Sequence, residues 1–305
     1  MIISRLLTIK PYTFAPLSSY NAIHMEKLPA KLFGEETGDL NVFYYDLENL
    51  MTRGKVVLQQ FVISFLVQGH KEINFAGAAI QADNTKALLI PQGNCLVTEK
   101  SQGSQDYKTI LLFFSKQRLT DFLLKKELLT NLFTVSTSIP PYFIFEQDEF
   151  IKIFIQSLSL HFTAINTTIS KQLLQVKFEE VMIYLIDKYG NTFITFLLHA
   201  LKNEHTVGFK TVVEANRYSN LSIGELAFLC NMSVSTFKRR FASAFNDTPG
   251  NWFKQKRLEK ANGLLQSGNV EPSDVFVGSG YKNLSHFSTA FKAKFGKSPR
   301  HYQQD

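Results

Sequence analysis

The nine residues FASAFNDTP, 241–249, return fifty positions later as FKAKFGKSP, 291–299. Phe241 matches Phe291, Phe245 matches Phe295, and Pro249 matches Pro299. Upstream at the same offset, Phe237 matches Phe287, Ser235 matches Ser285, and Ser233 stands opposite Asn283. An internal repeat of this kind restricts the chain to folds that use one structural unit twice. Phenylalanines four residues apart form one apolar stripe on a helix. Ser and Asn are good N-caps, and a proline past the stripe stops one helix or starts the next. Each copy therefore predicts a capped helix with a buried aromatic face.

Upstream of the first copy, LSIGELAFLC (221–230) predicts a short helix that starts at Leu221 or Ser222 and turns Leu226, Ala227 and Cys230 inward. Asn231 and Met232 lead from it to Ser233. A helix, a tight turn and a second helix make a helix-turn-helix arrangement. The second copy is preceded by PSDVFVGSGYKN, where Pro272 starts a short helix and Gly278 or Gly280 breaks it. Between the copies, WFKQKRLEKANGLLQSG predicts a connecting helix ended by Gly268.

Charge singles out the same region. The chain carries a net charge of +7. Residues 207–305 hold nine Lys and five Arg against seven acidic residues, while the first 206 residues balance at 19 basic and 19 acidic. A basic segment joined to a neutral one points to a polyanion partner for that segment, with a solvated basic surface as the alternative.

The stretch LSIGELAFLCNMSVSTFKRRFASAFNDTPGNWFKQKRLEKANGLLQSG, followed by GYKNLSHFSTAFKAKFGKSPRHY, resembles the DNA-binding domain of AraC-type transcription regulators over about 95 residues. The resemblance implies two helix-turn-helix units joined by a long helix, each presenting one recognition helix to the major groove. It implies base contacts from Ser235, Lys238 and Arg239. Two positions depart from the family pattern: Thr289 stands where an Arg is usual, and Phe276 where a small Ala is usual.

With the Phe stripe buried, the opposite face of the first helix holds Ser235, Arg239, Ala242 and Asn246, flanked by Lys238 and Arg240. An exposed Arg near the start of such a helix can bond guanine bidentately. The matching face of the second helix offers Leu284, Ser285, Ser288 and Thr289. Arg240, Lys254, Lys256, Arg257, Lys282, Lys292, Lys294 and Lys297 are candidate phosphate contacts, which position a protein on DNA without reading sequence.

The first two thirds carry a different pattern. Residues 55–115 run as short β-rich segments, KVVLQQFVISFLVQGH, KALLIPQGNCLVTEK and YKTILLFFS, separated by polar stretches, which suggests a sandwich or small barrel. They resemble the cupin-like sensor domains of AraC-type regulators, which implies a β-barrel. Metal-binding cupins bring two His and a Glu together. Here His70 stands alone and the next is His161, so neither a metal site, a cofactor nor a catalytic constellation is expected. From Ser115 to about His205 the pattern turns helical, in SKQRLTDFLLKKELL and in QVKFEEVMIYLIDKYG with Val176, Val181, Ile183, Tyr184, Leu185 and Ile186. The resemblance implies that such helices dimerise the sensor; packing within one domain is the alternative.

The expected fold class is α+β. Residues 1–205 form a sensor and dimerisation domain, and 206–305 form an all-α DNA reader, with the boundary in the polar stretch 201–210. Two cysteines, Cys95 and Cys230, lack metal-type spacing and suit a reducing compartment. The N-terminus shows no signal-peptide pattern, and no run reaches membrane-spanning length, so a cytoplasmic protein is expected. The reading is a homodimeric transcription regulator of promoter DNA. A small molecule or protein would act on its sensor, and RNA polymerase would be its partner if it activates. A cupin-type enzyme with a DNA-binding appendage and a non-specific architectural DNA binder are the competing readings.

Overall fold

The computed structural model describes residues 25–34, 37–47, 52–101, 107–130, 139–159, 168–202, 208–266, 275–276, 279, 281 and 283–302. They fall into two compact units, one within 1–75 and 79–206, the other within 76–78 and 207–305.

The first unit contains strands β1 (Met25–Leu28), β2 (Leu40–Leu47), β3 (Gly54–Leu58), β4 (Phe61–Gln68), β5 (His70–Asn74), β6 (Ala79–Ala82), β7 (Lys86–Ile90), β8 (Gly93–Lys100), β9 (Tyr107–Phe114) and β10 (Phe143–Glu146). Its helices are α1 (Ala30–Phe33), α2 (Lys116–Lys125), α3 (Glu149–Ser159) and α4 (Thr168–Leu201). The strands form two five-stranded sheets, ordered β1-β3-β8-β5-β6 and β10-β7-β4-β9-β2. All pairings are antiparallel except β1 with β3.

The layering follows from the sequence of the second sheet. In β4, FVISFLVQ, the first six residues are all buried. Phe61, Ile63 and Phe65 point into a core shared with the helices, while Val62 points into a core shared with the first sheet. Strand β7 divides in the same way, Ala87 and Leu89 to one side, Leu88 and Ile90 to the other. A strand covered on both faces loses the alternation of a half-exposed one. The unit is thus three layers, sheet on sheet on helices. Phe178 of α4 packs 5.0 Å from Phe114 of β9 and 5.7 Å from Phe122 of α2.

Two expectations are corrected. The barrel does not close: among the described residues both sheets are open, with β1 and β6 as the edges of one and β10 and β2 as the edges of the other. The supposed helical region also contains a strand, β10, whose residues Phe143–Glu146 pair with β7. A tetrapeptide is too short for period alone to separate helix from strand; pairing with an exposed edge decided it. A helix starts at Phe209, within the stretch 201–210 read as the domain boundary.

One buried polar contact joins the two sheets. Lys71 on β5 is 7% exposed and donates a 2.9 Å hydrogen bond to Ser64 of β4. Its register partner on β8 is Glu99, itself buried. Burial pushes the Lys71 amine below its ordinary value, while the Glu99 charge pulls it back up. His70 is exposed, and His161 lies outside the described residues. Among the described residues no group of three His, Cys, Asp or Glu stands close enough to hold a metal ion, and no helix is long and apolar enough to cross a membrane. Both cysteines are free thiols; burial raises Cys95 to about 12 and Cys230 to about 11.

Candidate nucleic-acid interface

The second unit holds α5 (Phe209–Ala215), α6 (Ile223–Leu229), α7 (Val234–Phe245), α8 (Pro249–Gln266), α9 (Leu284–Phe295) and α10 (Pro299–Tyr302). Helix α6 opens with a capping box. The Ser222 hydroxyl accepts from the Glu225 amide at 3.2 Å, and the Glu225 carboxylate accepts from the Ser222 amide at 2.6 Å. Leu226, Ala227 and Leu229 are buried, and Cys230 is half-buried at the cap. Asn231 takes the left-handed conformation, φ 54°, and the Met232 amide returns to the Ala227 carbonyl at 2.9 Å. That turn delivers Ser233, which caps α7 by accepting from the Thr236 amide at 3.1 Å.

The two copies of the frame become matching helices. Helices α7 and α9 are each 12 residues long. Asn283 caps α9 by accepting from the amides of Ser285 at 2.8 Å and His286 at 3.2 Å. Phe237, Phe241, Phe287 and Phe291 are all fully buried. Each such ring contributes roughly 1.5–3 kcal/mol by leaving water. Both helices end on a left-handed residue, Asn246 at φ 52° and Gly296 at φ 80°. Pro249 and Pro299 then open α8 and α10, at a position where the missing N–H costs nothing.

The first stripe packs on α5 and the start of α8. Phe209 lies 5.3 Å from Phe237, and Phe253 lies 5.8 Å from Phe241. The second stripe packs on the far end of α8, against Leu258, Ala261 and Leu265, with Val275 beside it and Phe276 partly buried at the margin. Helix α8 thus serves both units with different turns. Sequence reading overlooked α5. Its signal, Phe209, Val212 and Val213 at helical spacing, spans barely one turn.

Away from the stripes, Ser235, Lys238, Arg239, Ala242 and Asn246 are exposed together on α7 and its cap. On α9, Leu284, Ser285 and Thr289 are exposed and Ser288 is half-buried. The Thr289 hydroxyl donates to the Ser285 carbonyl at 2.9 Å, so its proton is already used. Among the candidate phosphate ligands, Lys254, Lys292 and Lys297 are exposed. Arg240, Arg257, Lys256 and Lys294 make the following contacts within the unit. Arg240 is exposed but lies 4.9 Å over the Phe209 ring, and half-buried Arg257 lies 5.8 Å from the Tyr281 ring. Lys256 and Lys294 both bind Glu259, at 3.1 Å each. Burial works against the Glu259 charge, but hydrogen bonds from Lys294 and Lys256 hold its carboxyl below the ordinary carboxylate value. Lys282 lies outside the described residues.

Comparison with known proteins matches residues 226–305 to a helix-turn-helix domain family and residues 61–196 to the ExsA N-terminal regulatory domain. Both matches agree with the AraC-type resemblance of the sequence. Among its relatives, the thermoregulatory protein LcrF of Yersinia pestis is 26% identical over 128 residues, 42% of this chain and 47% of that protein. The HTH-type transcriptional regulator ExsA of Pseudomonas aeruginosa is 22% identical over 129 residues, 42% of this chain and 46% of that protein. The HTH-type transcriptional regulator AlkR of Acinetobacter baylyi is 36% identical over 83 residues, 27% of each chain. The chain spans about half the length of LcrF and ExsA. These relatives are transcriptional regulators by name, and the segment matched to the helix-turn-helix domain family lies in the part of the chain with the excess positive charge.

Proposed function

We propose that this AraC-family chain is a sequence-specific, DNA-binding transcription regulator. Residues 206–305 read promoter DNA and residues 1–205 act as sensor and dimerisation domain. The observation that carries the reading is the pair α7 and α9: two helices of equal length, each with a buried Phe stripe and an exposed polar face. On this reading α7 reads bases through Ser235, Lys238 and Arg239, and α9 does so more weakly through Leu284, Ser285, Ser288 and Thr289. Lys254, Lys292 and Lys297, with Lys282, sit on phosphates. The two readers address groove segments about one helical turn, roughly 10 base pairs, apart.

The sensor works as a homodimer in the cytoplasm. Helix α4 supports this by exposing Leu173, Val176 and Ile183, at 51%, 61% and 43%, on a helix whose other side is core. The two facing sheets support a cupin-like ancestry. A small molecule or a protein bound there changes how the readers are held, and contact with RNA polymerase follows where the output is activation.

The test is binding of the full chain to duplex DNA across a salt series, followed by sequence selection. Affinity should fall steeply with salt as phosphate counterions are released, and selection should return one motif. No binding at low salt ends the proposal, and binding without any selected motif leaves only a non-specific binder.

A further inference from the structure

Two of the lysines a phosphate backbone would attract are already engaged, by the same carboxylate. Glu259 lies in the middle of α8. Its Oε2 accepts from Lys256, three residues back on the same helix, at 3.1 Å. Its Oε1 accepts from Lys294 of α9, also at 3.1 Å. Lys294 has a second acceptor on α8, the Gln255 carbonyl at 3.3 Å. The α8–α9 junction is thus tied by one ammonium to two acceptors on neighbouring turns, and both oxygens of the carboxylate are in use. The two lysine side chains are 32% and 23% exposed, so neither extends freely into solvent. Glu259 is one of only seven acidic residues in 207–305.

Two consequences follow. A lysine held by a carboxylate must break that bond before it can neutralise a phosphate. And the tie adds a directional constraint on how α9 lies on α8 to the apolar packing of Phe287 and Phe291 against Leu258 and Leu265. We infer that Glu259 is a positioning residue of the DNA reader: it fixes the seat of the second recognition helix and withholds Lys256 and Lys294 from the phosphate backbone, exchanging indiscriminate affinity for discrimination. This rests on the DNA-reading function proposed above and predicts an unusual sign. Removing an acid from a protein surface that does not touch DNA would leave selectivity alone. Removing Glu259 should tighten binding to every sequence and blur the choice between them.

The experiment compares the full wild-type chain with Glu259→Gln and Glu259→Asp by fluorescence anisotropy. The probes are a 30-base-pair duplex recovered by selection with the wild-type chain and a random duplex of equal length. Glu259→Gln should bind the random duplex more tightly and steepen the plot of log affinity against log salt by about 0.9 for each lysine released, or ~1.8 for both. The ratio of selected to random affinity should fall, and Glu259→Asp should restore part of it. Lys294→Gln breaks the same tie from the other side and serves if Glu259→Gln fails to fold. It should lower the ratio while leaving the salt slope at the wild-type value. Unchanged slope and ratio in folded Glu259→Gln overturn the inference, as does a slope loss of about 0.9 in Lys294→Gln, which would make Lys294 a phosphate ligand in the wild-type chain. A wild-type chain that binds neither duplex defeats the function itself, a separate outcome from a variant that binds like wild type.

Discussion

Helices α7 and α9 have the same length, the same placement of buried rings, the same kind of polar cap before them and a proline-initiated helix after them. Their outward faces share almost nothing. The first carries Lys238 and Arg239 beside Ser235; the second carries Leu284, Ser285 and Thr289, the last with its hydroxyl turned back onto the helix. The positions that had to match are those that meet the interior or set the backbone. A stripe of Phe must enter a core of fixed depth, and a helix end must satisfy its amides. Positions facing water carry no such demand and are free to diverge. The repeat is therefore a repeat of folding, with the exposed face set separately on each copy.

The largest effect that would break the equivalence is in the core. Phe237→Ala and Phe287→Ala should each cost about 3–5 kcal/mol. Trp252, the single tryptophan of the chain, packs 5.7 Å from Phe241 and so reports on this unit alone in a fluorescence-monitored denaturant titration. A large loss at one position and none at the other would show that the two stripes are not doing the same job.

Recognition should separate the copies where folding does not. Arg239→Ala should cost about 1–3 kcal/mol on a selected site and little on random DNA, as expected for bidentate guanine contact. Thr289→Ala should change the preference less. Equal losses at the two positions would make α9 as sharp a reader as α7.

The helix ends sharpen the comparison further. Gly296 sits at φ 80° with open space around a would-be Cβ, so Gly296→Ala should cost only the conformational term, about 1–2 kcal/mol. Gly296→Asn should be milder, because the first copy already uses Asn246 there. Melting temperatures of both variants decide this, and an Asn as damaging as Ala would mean the two ends differ in more than their side chain.

Smallest of all, Ser233→Ala and Asn283→Ala should each cost about 1 kcal/mol through a lost N-cap. Asn283 should be the more costly, since its Oδ1 accepts two amides where Ser233 accepts one. Chemical denaturation resolves the order, and the reverse order would show that one of the two Asn283 bonds contributes nothing.

Much of the second unit was legible because its signals are local. A cap, a four-residue aromatic period and a proline lie within seventeen residues, Ser233 to Pro249 and Asn283 to Pro299, and the helix they specify is set by backbone hydrogen bonds along that same stretch. The strand positions of β4, β7, β8 and β9 were legible for a similar reason, as apolar runs between polar turns. Other features depend on partners distant in sequence. Strand β10 is a strand because β7 offers an open edge some fifty residues earlier. Among the described residues the two sheets stay open because the edge strands find no ladder with one another, which no single strand records. Lys71 reads in the sequence as one surface charge among many, and only the stacking of β5 on β4 buries it. Lys294 reads as a cation for DNA until α9 is laid across α8 and Glu259, 35 residues back, meets it. Neighbours within a turn or two settled the two repeat helices, their apolar faces and which copy carries the arginine, so these were legible in the sequence alone. Which charges remain available to a partner was decided only by the tertiary structure, because a charge is available only when nothing else in the fold has reached it first.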